Sequence, residues 1–111
     1  YLKNLNLQSC FCIIDRSIVT IVNGCRNLCY LNLSNCRQIT NVSIVKVAEN
    51  CLNLNSLKLS MCFEITDVSV IRLAEKCPNL HSLDLTKCHE VTNELIVRLL
   101  EECPNLSLTR A

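Results

Sequence analysis

Ten of the 111 residues are cysteines, and their spacing decides which thiol chemistry is available to the chain. Thiols can bind zinc, form disulfides or act as nucleophiles. Zinc ligands usually come in Cys-x-x-Cys pairs, whereas the nearest pairs here are Cys10 with Cys12 and Cys25 with Cys29. We therefore expect no metal site.

The residue types of a hydrolase triad occur close together as His81, Ser82 and Asp84. Ser82 and Asp84 alternate along a predicted strand and face its solvent side, with no pocket that would exclude water. His89 falls in a predicted turn and is expected to be solvated. The chain has one glycine, so it lacks a glycine-rich phosphate loop. These observations predict no enzymatic activity and no cofactor.

Eight of the cysteines form two series with a spacing of 26 residues. The first series is Cys10, Cys36, Cys62 and Cys88, and the second is Cys25, Cys51, Cys77 and Cys103. Pairs of leucines recur at the same spacing: Leu5/Leu7, Leu31/Leu33, Leu57/Leu59 and Leu83/Leu85. A constant period of this length is typical of a solenoid, in which each repeat contacts only its neighbours.

Each period contains one strand pattern and one helix pattern. Leu57 and Leu59 alternate with polar residues, as in a strand with one buried face. Val70, Leu73 and Cys77 follow at helical spacing. The motif Leu-x-x-Leu-x-Leu-x-x-Cys matches the leucine-rich repeat. The predicted fold is therefore an α/β leucine-rich-repeat solenoid of about four 26-residue repeats, with parallel strands on a concave face and helices on a convex face.

The whole chain is predicted to be one leucine-rich-repeat domain. Its repeats are approximately 2–27, 28–53, 54–79 and 80–105, followed by a partial strand at 106–111. That last strand is one residue short of the period and has Arg110 where a core leucine is expected; it is either a polar cap or the start of foreign residues. Because Tyr1 is not an initiator, we expect the chain to be a fragment of a longer protein.

The first predicted helix has one candidate capping residue at its start and the other three have two each, because short polar side chains can accept hydrogen bonds from the free amides of the first turn. One set is Asp15, Asn41, Asp67 and Asn93, and the other is Thr40, Thr66 and Thr92. The pattern alone does not separate the two sets.

The cysteine series also predict a cellular location. Equivalent residues of adjacent repeats should lie about 4.8 Å apart, so disulfides between them are sterically conceivable. A series of four could pair only two by two, whereas thiols suit every repeat, and we expect reduced cysteines in a cytoplasmic or nuclear protein. The net charge of +1 and the four aromatic residues argue against nucleic acid, and no apolar run approaches the ~18 residues of a membrane span.

Residues between the buried leucines are predicted to point out from the concave face, where a protein could bind. The candidate contact residues are Tyr30, Asn32, Ser34, Ser56, Lys58, Ser60, Met61, Ser82, Asp84 and Thr86. Tyrosine is a favoured anchor in protein interfaces. The alternative is that these are ordinary solvated strand residues and that any partner binds elsewhere.

The repeat unit resembles the cysteine-containing subfamily of leucine-rich repeats. The resemblance rests on Cys62-x-x-Ile65-Thr66-Asp67, Leu73-Ala74-x-x-Cys77-Pro78-Asn79-Leu80 and Leu83-x-Leu85-x-x-Cys88. It implies the substrate-receptor region of an F-box ubiquitin ligase, which would hold a protein substrate. The cullin-based scaffold would bind only through an F-box outside these repeats, and none is found within them. A scaffold or effector module with no ligase role is the alternative.

Overall fold

The computed structural model describes residues 1–110, in which strands and helices alternate along the chain. The strands are β1 (Asn4–Asn6), β2 (Tyr30–Asn32), β3 (Ser56–Lys58), β4 (Ser82–Asp84) and β5 (Ser107–Thr109). The helices are α1 (Asp15–Asn23), α2 (Asn41–Asn50), α3 (Asp67–Lys76) and α4 (Asn93–Glu102). No helix of the described part is both long and apolar enough to cross a membrane.

The five strands form one parallel sheet in the order of the chain. Leu31 of β2 lies opposite Leu57 of β3, and Leu57 lies opposite Leu83 of β4, which preserves the spacing of 26 residues. Leu83 then pairs with Leu108, so the fifth strand is one residue short. The predicted solenoid of parallel strands and helices is confirmed, and its fold class is α/β.

The shortened last strand places Arg110 beside the core of the fourth repeat. Its Nη2 donates a hydrogen bond of 2.6 Å to the Val91 carbonyl, while its Nη1 has no partner among residues 1–110. Arg110 therefore caps the carbonyl of a loop in the described part of the chain. Ala111, the last residue of the predicted partial strand, lies outside the described residues.

The apolar core lies between the sheet and the helices, and the first cysteine series hydrogen-bonds across it. The Cys62 thiol donates to the carbonyl of Leu33 in the preceding repeat, with an Sγ–O distance of 3.1 Å. Cys36 and Cys88 make the equivalent bonds at 3.0 Å. Each of these thiols therefore acts both as a small apolar residue and as a donor that links neighbouring repeats.

The second cysteine series lies at the ends of the helices and is also buried in its middle repeats. Cys51 and Cys77 make longer contacts of 3.6 and 3.8 Å to carbonyls of the preceding repeat. Burial raises the pKa of Cys51 and Cys77 to about 11 and the pKa of Cys62 to about 12. All ten cysteines are free thiols in this structure.

Polar residues at the helix starts form a second link between repeats. Thr40 and Thr66 cap α2 and α3, since each hydroxyl accepts a bond from the amide two residues later, and Thr92 caps α4 in a similar way. The neighbouring Asn41 instead bonds forward: its Oδ1 accepts from the Thr66 amide at 3.0 Å and from the Ser69 hydroxyl. Its Nδ2 donates to the Thr66 hydroxyl at 2.7 Å.

The two aspartates of this set, Asp15 and Asp67, make similar forward contacts. Asp15 accepts from the amide and hydroxyl of Thr40 and from the Ser43 hydroxyl, and Asp67 accepts from the amide and hydroxyl of Thr92. Desolvation raises the pKa of Asp15, but these hydrogen bonds outweigh it and the net pKa is lowered. Asp15, Asn41 and Asp67 thus each tie one repeat to the next.

The fourth helix does not pack as the others do. Helix α2 packs along both α1 and α3, whereas α4 lies apart from α3 across a cleft of about 240 Å³. Fully buried Ser43 and Ser69 occupy the close-contact position in α2 and α3, where α4 has the larger Leu95. A leucine is larger than a serine and has no hydroxyl, so it cannot replace the serine hydrogen bond.

Candidate functional site

The outward residues of strands β1 to β4 and of the two positions that follow form one continuous surface, here called the strand face. Its members are Asn4, Asn6, Gln8, Tyr30, Asn32, Ser34, Ser56, Lys58, Ser60, Ser82, Asp84 and Thr86. Because successive side chains of a strand point to opposite sides, the intervening leucines enter the core. Leu57 and Leu59 are fully buried, whereas Lys58 between them is exposed.

Two predicted contact residues are buried within the strand face. Asn32 is 3% exposed and Ser34 is 7% exposed. The Asn32 Oδ1 accepts from the Ser34 amide at 2.9 Å, and its Nδ2 donates to Gln8 Oε1 at 3.0 Å. The Asn32 side chain therefore links repeats one and two, and the two buried side chains offer almost no surface to a partner.

The other predicted contact residues retain accessible surface. Lys58 is exposed, and seven more are half-buried: Tyr30, Ser56, Ser60, Met61, Ser82, Asp84 and Thr86. These residues lie on three neighbouring strands, β2 to β4, and on the positions that follow each strand. Whether they contact a partner stays a prediction.

At one position of the strand face, the side chain accepts a local hydrogen bond in three of the four repeats. Asn6, Asn32 and Asp84 each accept a bond from the amide two residues later, at 3.0, 2.9 and 2.9 Å. Lys58 occupies this position in the third repeat and has no acceptor to offer. The Ser60 amide consequently has no hydrogen-bond acceptor among residues 1–110.

Charges on the strand face are few. Lys58 lies opposite Asp84 in the strand register, but the two form no ion pair within 4.0 Å in the part of the chain described. The Asp84 Oδ1 instead accepts from both the amide and the hydroxyl of Thr86, at 2.9 and 2.6 Å. The Lys58 ammonium is therefore available to a partner.

The rim of the strand face has an unusual backbone conformation. Four rim residues have φ between 61° and 62°, in the left-handed region that residues other than glycine rarely adopt: Ser9, Asn35, Met61 and Lys87. Their conformation continues the inter-repeat hydrogen bonds beyond the strands, since the Met61 amide donates to the Thr86 carbonyl at 2.8 Å. Met61, which the sequence predicted as a contact residue, lies at this rim and is half-buried.

A short stack of side chains lies in the loops next to the rim. Arg37 lies 5.4 Å from the centroid of the Phe63 ring, and the other neighbour of Phe63 is His89, with ring centroids 6.1 Å apart and nearly parallel planes. Sequence reasoning predicted only that His89 is solvated, and it is indeed exposed. The signal was present in the sequence, because these residues are spaced by 26 and Phe11 precedes them at the same spacing.

The residues considered for catalysis are not brought together. The nearest polar partner of the His81 ring is the Asn79 carbonyl, 3.4 Å from Nδ1, and His81 makes no hydrogen bond to Ser82 or Asp84 within residues 1–110. No group of three or more potential metal ligands occurs in the same residues. What the strand face does present is donors, acceptors and one tyrosine at fixed strand spacing.

Comparison with known proteins gives a likeness in fold. No family model matches the sequence, and no curated protein matches it. By structure, the chain is similar to a chain in the crystal structure of the yeast Rad7–Elc1 complex, with a TM-score of 0.64 and 20% sequence identity. The match covers 91% of this chain and 31% of that one, so the present chain spans about a third of its length. The likeness supports a leucine-rich-repeat fold.

Proposed function

We propose that this chain is a protein-interaction module that binds its partner through the strand face, and that it forms the substrate-recognition repeats of an F-box-type ubiquitin ligase receptor. The observation that carries the proposal is the lateral array of accessible side chains on β2 to β4, centred on Tyr30 and Lys58. The cysteine-containing repeat pattern and the fold likeness to a chain of the Rad7–Elc1 complex support the ligase context.

The strand face suits binding because its backbone and some of its side chains are held in place before a partner arrives. Strands β2, β3 and β4 are each hydrogen-bonded to a strand on both sides. The Asn32 and Asp84 side chains are held by local hydrogen bonds. A preordered surface loses less conformational entropy on association. Tyr30 adds a rigid group with both apolar and hydrogen-bonding surface, and tyrosine is one of the residue types enriched among interface anchors.

The thiol hydrogen bonds support a reducing location. Oxidation of Cys62 would remove a donor to the Leu33 carbonyl inside the core. We propose that the protein works in the cytoplasm or nucleus, where thiols stay reduced. Fractionation of cells that express the tagged full-length protein tests this location, and recovery in the secretory pathway would contradict it.

The binding proposal is tested in the full-length protein that contains these repeats. The double variant Tyr30→Ala with Lys58→Ala removes the two central groups of the strand face. Its matched control is Tyr1→Ala with Lys76→Ala, since both of these residues are exposed and neither belongs to the strand face. Proteins that co-purify from cells are quantified by mass spectrometry.

We expect the strand-face variant to lose its partner while the control retains it. Equal recovery of partner by both variants would contradict binding through the strand face. Co-purification of cullin components with both variants supports the ligase role. Their absence, together with retained partner binding by the control, would leave a scaffold or effector module as the function.

A further inference from the structure

We propose that the strand face carries a carboxylate-binding site at Lys58 and Ser60, which takes an acidic side chain of an extended segment of the protein partner. The inference rests on the proposed function, because it specifies the chemistry of the partner that the strand face would bind. It starts from the one repeat in which a hydrogen bond made in the other three is missing.

The missing bond defines the position of the ligand. In repeats one, two and four, the oxygen of Asn6, Asn32 or Asp84 accepts from the amide two residues later. In repeat three the corresponding Ser60 amide has no acceptor among the described residues, since Lys58 supplies none. An oxygen that approaches from solvent can take the place that a side-chain oxygen fills in the other repeats.

The charge at this position selects a carboxylate over a neutral oxygen. Lys58 occupies the strand position at which the other repeats have an Asn or Asp acceptor. Its side chain is exposed and forms no ion pair within the described residues. A carboxylate can accept from an amide through one oxygen and pair with an ammonium through the other. Such charge-assisted bonds are roughly twice as strong as neutral ones.

The neighbouring strands determine the side from which an acidic group fits. On the β4 side lies Asp84, whose negative charge disfavours a second carboxylate, although its Oδ1 is occupied by two donors from Thr86. On the β2 side lies Asn32, which is neutral and buried. We therefore place the carboxylate between Lys58 and β2.

Tyr30 gives this site an apolar neighbour and favours a peptide over a small anion. Tyr30 pairs in register with Ser56, two residues before Lys58 on the same side of the sheet. Residues on one face that are diagonal across two strands lie within reach of an aromatic side chain. A segment that places its acidic group on Lys58 can therefore lay an adjacent residue on the Tyr30 ring.

The site is tested by an amide NMR titration of the 111-residue chain with two matched peptides. One is an acetylated and amidated peptide of alternating glutamate and serine, and the other has glutamine in place of each glutamate. Three proteins are compared: the wild type, Lys58→Asn and Lys76→Asn. The Lys58→Asn side chain should occupy the Ser60 amide as Asn32 occupies that of Ser34, so the fold is retained. Lys76→Asn removes an equal charge from the helix side.

We expect the glutamate peptide to move the Ser60 amide resonance in the wild type and in Lys76→Asn, with at least tenfold weaker binding to Lys58→Asn. The glutamine peptide should leave Ser60 unmoved, and added salt should weaken the glutamate response. Equal responses to the two peptides, no response to either, or full binding by Lys58→Asn would overturn the carboxylate site. Those results would leave strand-face binding to be decided by co-purification with the Tyr30 and Lys58 variant.

Discussion

Replacement of Asn41 by alanine should destabilise the stack through the loss of three hydrogen bonds between repeats two and three. Asn41 bonds the amide and hydroxyl of Thr66 and the hydroxyl of Ser69, and Ser69 is fully buried. At about 1 kcal/mol for each net hydrogen bond, Asn41→Ala should lower the free energy of unfolding by about 3 kcal/mol. For a domain of this size, that corresponds to a fall in melting temperature of about 12 °C.

The chain contains a matched control at the same helix position. Asn93 begins α4 as Asn41 begins α2, but it is exposed and its side chain makes no hydrogen bond within residues 1–110. Asn93→Ala should therefore change the unfolding free energy by no more than about 0.5 kcal/mol. Asn41→Asp should be close to wild type, since Asp15 and Asp67 make the same forward bonds naturally.

Urea unfolding followed by circular dichroism measures these differences, and the denaturant slope shows whether the transition stays cooperative. Equal losses for Asn41→Ala and Asn93→Ala would refute the reasoning, because the effect would then come from helix propensity at the first position rather than from links between repeats.

Three further predictions concern the core, the rim and pH. Leu59→Asp should unfold the chain because it places a carboxylate at a fully buried site, whereas Lys58→Ala should change stability by no more than about 0.5 kcal/mol; similar melting curves would show that the strand faces are assigned wrongly. Met61→Asn should stabilise by on the order of 1 kcal/mol in urea unfolding, since asparagine tolerates the left-handed conformation better, and a loss of stability would contradict strain at this residue. Because the folded pKa of Asp15 is lowered, its stabilising contribution is present above its unfolded pKa near 3.8 and is lost as the pH falls through the folded value. Asp15→Asn should therefore lessen the acid dependence of the melting temperature, and an unchanged dependence would count against it.

The repeating elements were predictable because each repeat must bury the same two faces against equivalent neighbours. Leu57 and Leu59 identify a strand, and the spacing of 26 residues fixes its register with the next. The roles of Thr66 and Asp67 were not separable in the same way. Both are competent caps in isolation, and only the next repeat shows that the threonine caps its own helix while the aspartate bonds forward.

The candidate site was predictable in outline and not in detail. Alternation places Asn32 and Lys58 on the same face, yet the first is buried and the second is exposed. The Asn32 side chain also donates its Nδ2 to Gln8 of the neighbouring repeat, a contact that strand alternation does not reveal. The open Ser60 amide also becomes visible only when the local bonds of all four repeats are compared.

Because α4 is separated from α3, the repeats of the solenoid should differ in how easily their helices unfold locally. Helix α2 is held on both sides, whereas α4 borders the cleft and lacks the serine hydrogen bond. We therefore expect local opening of this 111-residue chain to begin at α4, whose backbone amides should exchange their hydrogens with solvent before those of α2. The strands of the earlier repeats should keep their alignment while this helix opens.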